Sequence, residues 1–193
     1  MDTKENILQK ALDLFSRRGY EAVSMSDIAG EIGITKGALY RHYASKEEIF
    51  QTIIKRMEEM DTENALKLAV PEGPYAVMAE KYKETDMEQF LTFTENEYHY
   101  WTEHPFASKF RKMLSIERYH DEAMEKLYQQ YLGNGVLSYI EEIFHGKVDG
   151  DAHLLALQFY APVLMLMDSP NNALLKAHLD AWRARFGKKE GTR

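Results

Sequence analysis

Three helix-start signals crowd into the stretch from residue 24 to residue 48 and restrict it to short helices joined by tight turns. Ser24-Met25-Ser26-Asp27 and Ser45-Lys46-Glu47-Glu48 have the spacing of capping boxes, in which a hydroxyl and a carboxylate three residues apart each satisfy a free backbone N–H. Thr35 stands as a further cap before Lys36, and Gly33 can take the left-handed conformation that stops the preceding helix. The apolar residues agree with these boundaries. Ile28, Ala29 and Ile32 make one short face, and Ile49, Phe50, Ile53, Ile54 and Met57 make the buried side of the helix after Ser45. Upstream, a helix starting at Asp2 or Thr3 carries the stripe Ile7, Leu8, Ala11, Leu12 and Phe15, closed by Arg17, Arg18 and Gly19.

Beyond residue 48 apolar residues recur at helical spacing and strand patterns are missing, so the expected class is all-α. A helix over 45–67 leads to a Pro/Gly-rich junction from Val70 to Pro74. Further helices are expected at 75–83, 86–104, 106–118, 121–145, 151–168 and 171–186, with a flexible tail over 188–193. The stretch from Leu154 to Met167 is apolar on nearly all sides, yet shorter than the ~20 residues that span a bilayer, and reads as a core helix. With no cysteine, disulfides and thiolate chemistry are excluded, which fits a cytoplasmic chain, as does the charged, leaderless N-terminus. Charge is uneven. Up to residue 46, seven basic residues face six acidic ones, a net +1; beyond it 17 face 25, a net −8. The first block is thus the part of the chain that phosphate does not repel overall.

Ile28-Ala29-x-x-x-Gly33-Ile34 followed by Thr35-Lys36-Gly37-Ala38-Leu39-Tyr40 has the logic of a helix-turn-helix. Ala29 allows close approach, Gly33 turns the chain, and Ile34 plugs the space between the helices. A third helix from Lys36 to about Tyr43 buries Leu39 and Tyr43 and presents Lys36, Gly37, Ala38, Tyr40, Arg41 and His42 to a major groove. Lys36 and Arg41 suit phosphate or guanine, Gly37 permits close approach, and the Ala38 methyl suits a thymine methyl. Tyr40 and His42 are phosphate donors or, alternatively, half-buried structural residues. Ser24, Thr35 and Lys46 stand at helix starts, where free N–H groups favour anions.

At these residues the chain resembles the TetR family of bacterial repressors. The resemblance runs from Ile7 to Phe50 through Phe15, Gly19-Tyr20, Ser24-Met25-x-Asp27-Ile28-Ala29, Gly33 to Tyr40, His42-Tyr43 and Ser45-Lys46-Glu47-Glu48-Ile49. Tyr43 departs from the pattern, where Phe is common. The resemblance implies about nine helices in a dimer, with DNA binding in residues 1–46 and effector binding and dimerisation in residues 47–187. The implied partners are a palindromic double-stranded operator, a small-molecule effector and a second copy of the chain, with no membrane and no cofactor.

The larger domain is rich in aromatic residues, which serve either as ordinary core or as the walls of a ligand pocket. Phe93, Glu97, Trp101, Met113, Glu117, Tyr131 and Phe159 lie on its middle helices and are the candidate pocket residues. Leu155, Phe159, Val163, Leu175, Leu179 and Trp182 are the candidate dimer face, with a single monomeric core as the alternative. His99 with Glu95 or Glu103 has metal-pair spacing, but no H-x-x-x-H or H-E-x-x-H occurs and no metal site is expected. With no Gly-rich phosphate loop and no G-x-S-x-G elbow, the expected role is a regulator rather than an enzyme. A constitutive DNA-binding architectural protein remains the second rival.

Overall fold

The computed structural model describes residues 3–67, 85–145 and 147–186, among which helices are joined by turns and no strand occurs. The helices are α1 (Thr3–Arg18), α2 (Met25–Ile32), α3 (Lys36–Tyr40), α4 (Lys46–Lys67) and α5 (Met87–Glu103), then α6 (Ala107–Glu117), α7 (Glu122–Tyr131), α8 (Asn134–Phe144), α9 (Ala152–Asp168) and α10 (Asn172–Phe186). The expected helix at 75–83, the junction from Val70 to Pro74 and the tail over 188–193 lie outside the described residues.

Several of these helices open on side-chain caps. Asp86 accepts from the Gln89 N–H at 2.7 Å while the Gln89 side chain accepts from the Asp86 N–H at 3.1 Å, a reciprocal box at the start of α5. Asp121, Asp151 and Asn171 each accept from an N–H three residues on, at 3.0 Å, opening α7, α9 and α10. One expectation fails in detail. The span 121–145 is two helices, divided at Leu132-Gly133, where the Gln129 side chain accepts the Asn134 N–H at 3.0 Å in place of a helical carbonyl.

The contacts divide the chain into two compact units, the first comprising residues 1–66 and 103–128. In it α1 packs on both α2 and α6, and α2 packs on α3. The stripe Ile7, Leu8, Ala11, Leu12 and Phe15 is buried, as are Ile49, Phe50, Ile53, Ile54 and Met57 of α4 and Phe110, Met113 and Leu114 of α6. Each large apolar side chain so buried contributes roughly 1.5–3 kcal/mol of transfer free energy. Lys109 of α6 pairs with Asp13 of α1 at 3.0 Å across the same contact.

The second unit comprises residues 67–102 and 129–193, and α9 packs against α8 and α10. Phe159, fully buried on α9, is the centre of its aromatic core. Its ring lies 4.8 Å from Phe90, 5.9 Å from Phe144 and 5.1 Å from Trp182, in the tilted and edge-on geometries such rings prefer. The Tyr98 hydroxyl is buried, accepts the Asn171 N–H at 2.9 Å and donates to the Leu166 carbonyl at 3.4 Å, joining α5 to the α9–α10 turn. Helix α9 runs through Pro162 without breaking, so packing outweighs the ~3 kcal/mol that an interior proline typically costs. No helix among the described residues is long and apolar enough to cross a membrane.

Candidate nucleic-acid interface

The short helices α2 and α3 are held by their own ends. The Ser24 hydroxyl accepts the Asp27 N–H at 3.2 Å, and the Asp27 carboxylate accepts both the Ser24 N–H at 2.8 Å and the Ser24 hydroxyl. Those Ser24 hydrogen bonds, helped by Arg18 at 3.4 Å, hold the Asp27 carboxyl below the usual carboxylate range. Ser24→Ala removes the hydroxyl arm of the box, leaving only the backbone N–H bond to Asp27, and is expected to cost about 1 kcal/mol of stability. Urea unfolding measures this, and an unchanged midpoint would show the box to be dispensable.

At the other end of α2, Gly33 adopts φ +77°, a region that a side chain rarely tolerates. There the Gly33 N–H reaches the Gly30 carbonyl at 3.2 Å and the Ile34 N–H reaches the Ala29 carbonyl at 3.0 Å, the paired bonds of a Schellman turn. Two residues later the Thr35 hydroxyl accepts the Ala38 N–H at 3.1 Å and starts α3. The α-helix ends at Tyr40, short of the expected Tyr43. His42 and Tyr43 continue as a turn, both donating to the Leu39 carbonyl. Leu39 and Tyr43 are buried, and their burial decides which side of α3 faces outward.

That outward side carries Lys36, Gly37, Tyr40 and Arg41, all exposed, with Ala38 and His42 half-buried. The Arg41 side chain forms no hydrogen bond or ion pair among the described residues, its backbone N–H alone being bonded, to the Ala38 carbonyl at 3.3 Å. The Lys36 ammonium lies 5.8 Å from the centre of the Tyr40 ring, a weak tether that leaves its charge in solvent. Two cations, a hydroxyl and a bare glycine backbone thus share one exposed helical turn, the combination that phosphate and base edges call for.

Two of the expected DNA contacts are engaged elsewhere. The Ser24 hydroxyl proton goes to Asp27. Lys46 is half-buried, with its ammonium donating to the Tyr20 carbonyl at 2.8 Å and lying 3.9 Å over the Tyr20 ring. Sequence reasoning missed this use of Lys46 because the carbonyl it reaches is 26 residues away.

The candidate pocket residues do not form one group. Glu97, Trp101 and Tyr131 come together, the indole N–H donating to Glu97 at 3.2 Å and the Trp101 and Tyr131 rings 5.8 Å apart. Phe93 instead packs on Tyr139 at 5.8 Å, and Phe159 belongs to the aromatic core. Met113 and Glu117 are buried in the first unit, where Glu117 accepts the Tyr20 N–H at 2.7 Å.

The candidate dimer face needs a similar correction. Leu155, Phe159, Val163, Leu175, Leu179 and Trp182 are all buried within a single chain, leaving no surface for a partner. The apolar positions left open on the same helices are Leu154, Leu157 and Met165 on α9 and Leu174 on α10, each about half exposed or more. Exposed Ala161 lies among the first set, and Ala177, Ala181 and Ala184 continue the second. These positions fall at helical spacing along one side of each helix.

The comparisons with known proteins agree with this geometry. Residues 7–53 match the family described as bacterial regulatory proteins, tetR family. Over 83 residues, 41% of the chain, the sequence is 35% identical to the HTH-type transcriptional regulator AcrR of Shigella flexneri, and the match covers 38% of that protein. Over 52 residues it is 38% identical to the biofilm operon icaADBC HTH-type negative transcriptional regulator IcaR of Staphylococcus epidermidis, covering 27% of this chain and 28% of that one. The chain therefore matches well under half the length of these relatives. The crystal structure of AibR in complex with isovaleryl coenzyme A and operator DNA superposes with a TM-score of 0.63 at 18% identity, covering 96% of this chain and 98% of that one. At that identity the likeness is one of fold. Residues 7–53 thus match the tetR family of bacterial regulatory proteins, and nearly the whole chain shares its fold with the AibR structure.

Proposed function

We propose that the protein is a homodimeric transcriptional repressor that binds a roughly palindromic operator and is released by a small-molecule effector. The observation that carries the reading is the exposed face of α3, where Lys36, Gly37, Tyr40 and Arg41 stand clear while Leu39 and Tyr43 anchor the helix below. Ala38, His42 and the Thr35 hydroxyl flank that face. Two such heads separated by one turn of DNA, about 34–36 Å, read the two halves of an operator.

The second copy packs on the open apolar faces of α9 and α10, forming a four-helix arrangement about a two-fold axis. The cluster of Glu97, Trp101 and Tyr131, two aromatic rings with one carboxylate, is the favoured place for effector contact. Residues 1–46 serve as the reading head, 45–67 as the connecting helix and the remainder to 187 as the effector and dimer domain. Binding of effector favours a different tilt of α4; a tenfold weakening on DNA requires about 1.4 kcal/mol of preference for that state.

The reading is tested by selecting duplexes from a random pool with the purified protein and measuring affinity against salt. Specific duplexes with a steep fall of affinity as salt rises are the expected result. Failure to enrich any sequence overturns it. On the enriched duplex, Arg41→Ala is expected to cost about 1–3 kcal/mol of binding with helix content unchanged. Equal affinity would remove Arg41 from the reading head.

A further inference from the structure

Tyr20 is tied through four different groups. Its N–H donates to Glu117 of α6 at 2.7 Å, across 97 residues of sequence. Its carbonyl accepts from Lys46 at 2.8 Å and from the Val23 N–H at 3.2 Å. The hydroxyl donates to Glu47 at 2.8 Å, and the ring packs 4.6 Å from Phe50 and 5.3 Å from Phe15. Burial first, then the bond to Glu47, pushes the Tyr20 hydroxyl well above the ordinary phenol range, so it remains a donor. The turn from Gly19 to Val23 leads directly into the Ser24 cap of α2, while Lys46 and Glu47 form the first turn of α4.

Glu117 holds this turn from behind. Its side chain is buried and has no ion pair among the described residues; its recorded hydrogen bond is the one from the Tyr20 N–H. A short bond from an N–H to a carboxylate is stronger than one between neutral groups, and burial strengthens it further. Gly19 adopts φ +80°, and a Cβ there would stand 2.9 Å from the same Glu117 oxygen and 3.3 Å from Ile116. Backbone and carboxylate are therefore fitted closely to each other.

We propose that Glu117 is a positioning residue for DNA reading: through the Tyr20 N–H it sets the turn from which α2 and α4 take their placement. The proposal rests on the DNA-binding function inferred above. It also assigns Glu117 to the control of the reading head rather than to the effector pocket. No DNA atom needs to touch Glu117 for it to act. Sequence-specific affinity depends on the placement of α3 in the groove, whereas affinity for arbitrary DNA depends mainly on net positive charge and tolerates misplacement.

The test compares the whole protein with Glu117→Ala, Glu117→Asp and Glu117→Gln on two probes, a duplex enriched by the parent and one of scrambled sequence. Ala removes the acceptor, Asp withdraws it by one methylene while keeping the charge, and Gln retains an oxygen at the same reach. The expected result is a loss of about tenfold in the specific-to-scrambled affinity ratio for Ala and Asp, with Gln within about threefold of the parent. The Asp variant preserves the burial of a carboxylate, so it reports even if the Ala variant does not fold. A ratio unchanged in the folded variants, or both affinities falling in parallel, overturns the proposal. A parent protein that enriches no duplex defeats the DNA-binding reading itself, and the positioning role with it.

Discussion

Replacing Leu157 and Met165 together by aspartate is expected to yield a folded monomer that has lost at least about 100-fold of its operator affinity, because two linked half-sites bind far more tightly than one. Both side chains stand on the open side of α9, at 46% and 66% exposure in the single chain, so the substitutions leave the monomer's own core intact. In a two-fold interface each change occurs twice, placing four carboxylates in a contact that offers apolar partners, and unpaired buried charges are costly. Sedimentation at micromolar concentration and DNA titration read the two halves of the expectation. A variant that remains dimeric would move the interface elsewhere. Trp182→Asp is a poor alternative, since Trp182 is buried within the chain beside Phe144 and Phe159.

Phe159→Ala is expected to have the largest effect on the second unit itself. The ring is fully buried and meets Phe90, Phe144, His178 and Trp182. Truncation removes its transfer free energy and leaves a cavity that rigid aromatic neighbours fill poorly, together worth about 3–5 kcal/mol. Calorimetry and urea unfolding would show the loss as a lower midpoint. A cost below about 1 kcal/mol would mean that the surrounding helices collapse onto the site. The two experiments separate the faces of α9: one disrupts association and spares the fold, the other weakens the fold.

How much of this was legible beforehand follows from how far apart the interacting groups lie in sequence. The caps at Ser24, Thr35 and Ser45, the stop at Gly33 and the burial of Leu39 and Tyr43 all concern neighbours within a turn or two, and each was readable. The exposed residues of α3 follow from the same helical period. The division of 121–145 into α7 and α8 was not, because the Gln129 side chain competes locally with a helical carbonyl. Faces of α9 were misassigned for a different reason. When a helix is apolar all round, its periodicity does not tell the side packed on its own chain from the side left open.

The crowded helix starts between residues 24 and 48 determined by themselves that this stretch forms short capped helices with a basic exposed turn, since capping and helical period act over three or four residues. Tertiary structure alone decided the partners of Lys46, Glu117 and Tyr20, and which apolar residues of α9 remain open. Those outcomes depend on which distant segments the folded chain brings within hydrogen-bond or van der Waals reach, and no local pattern encodes that distance.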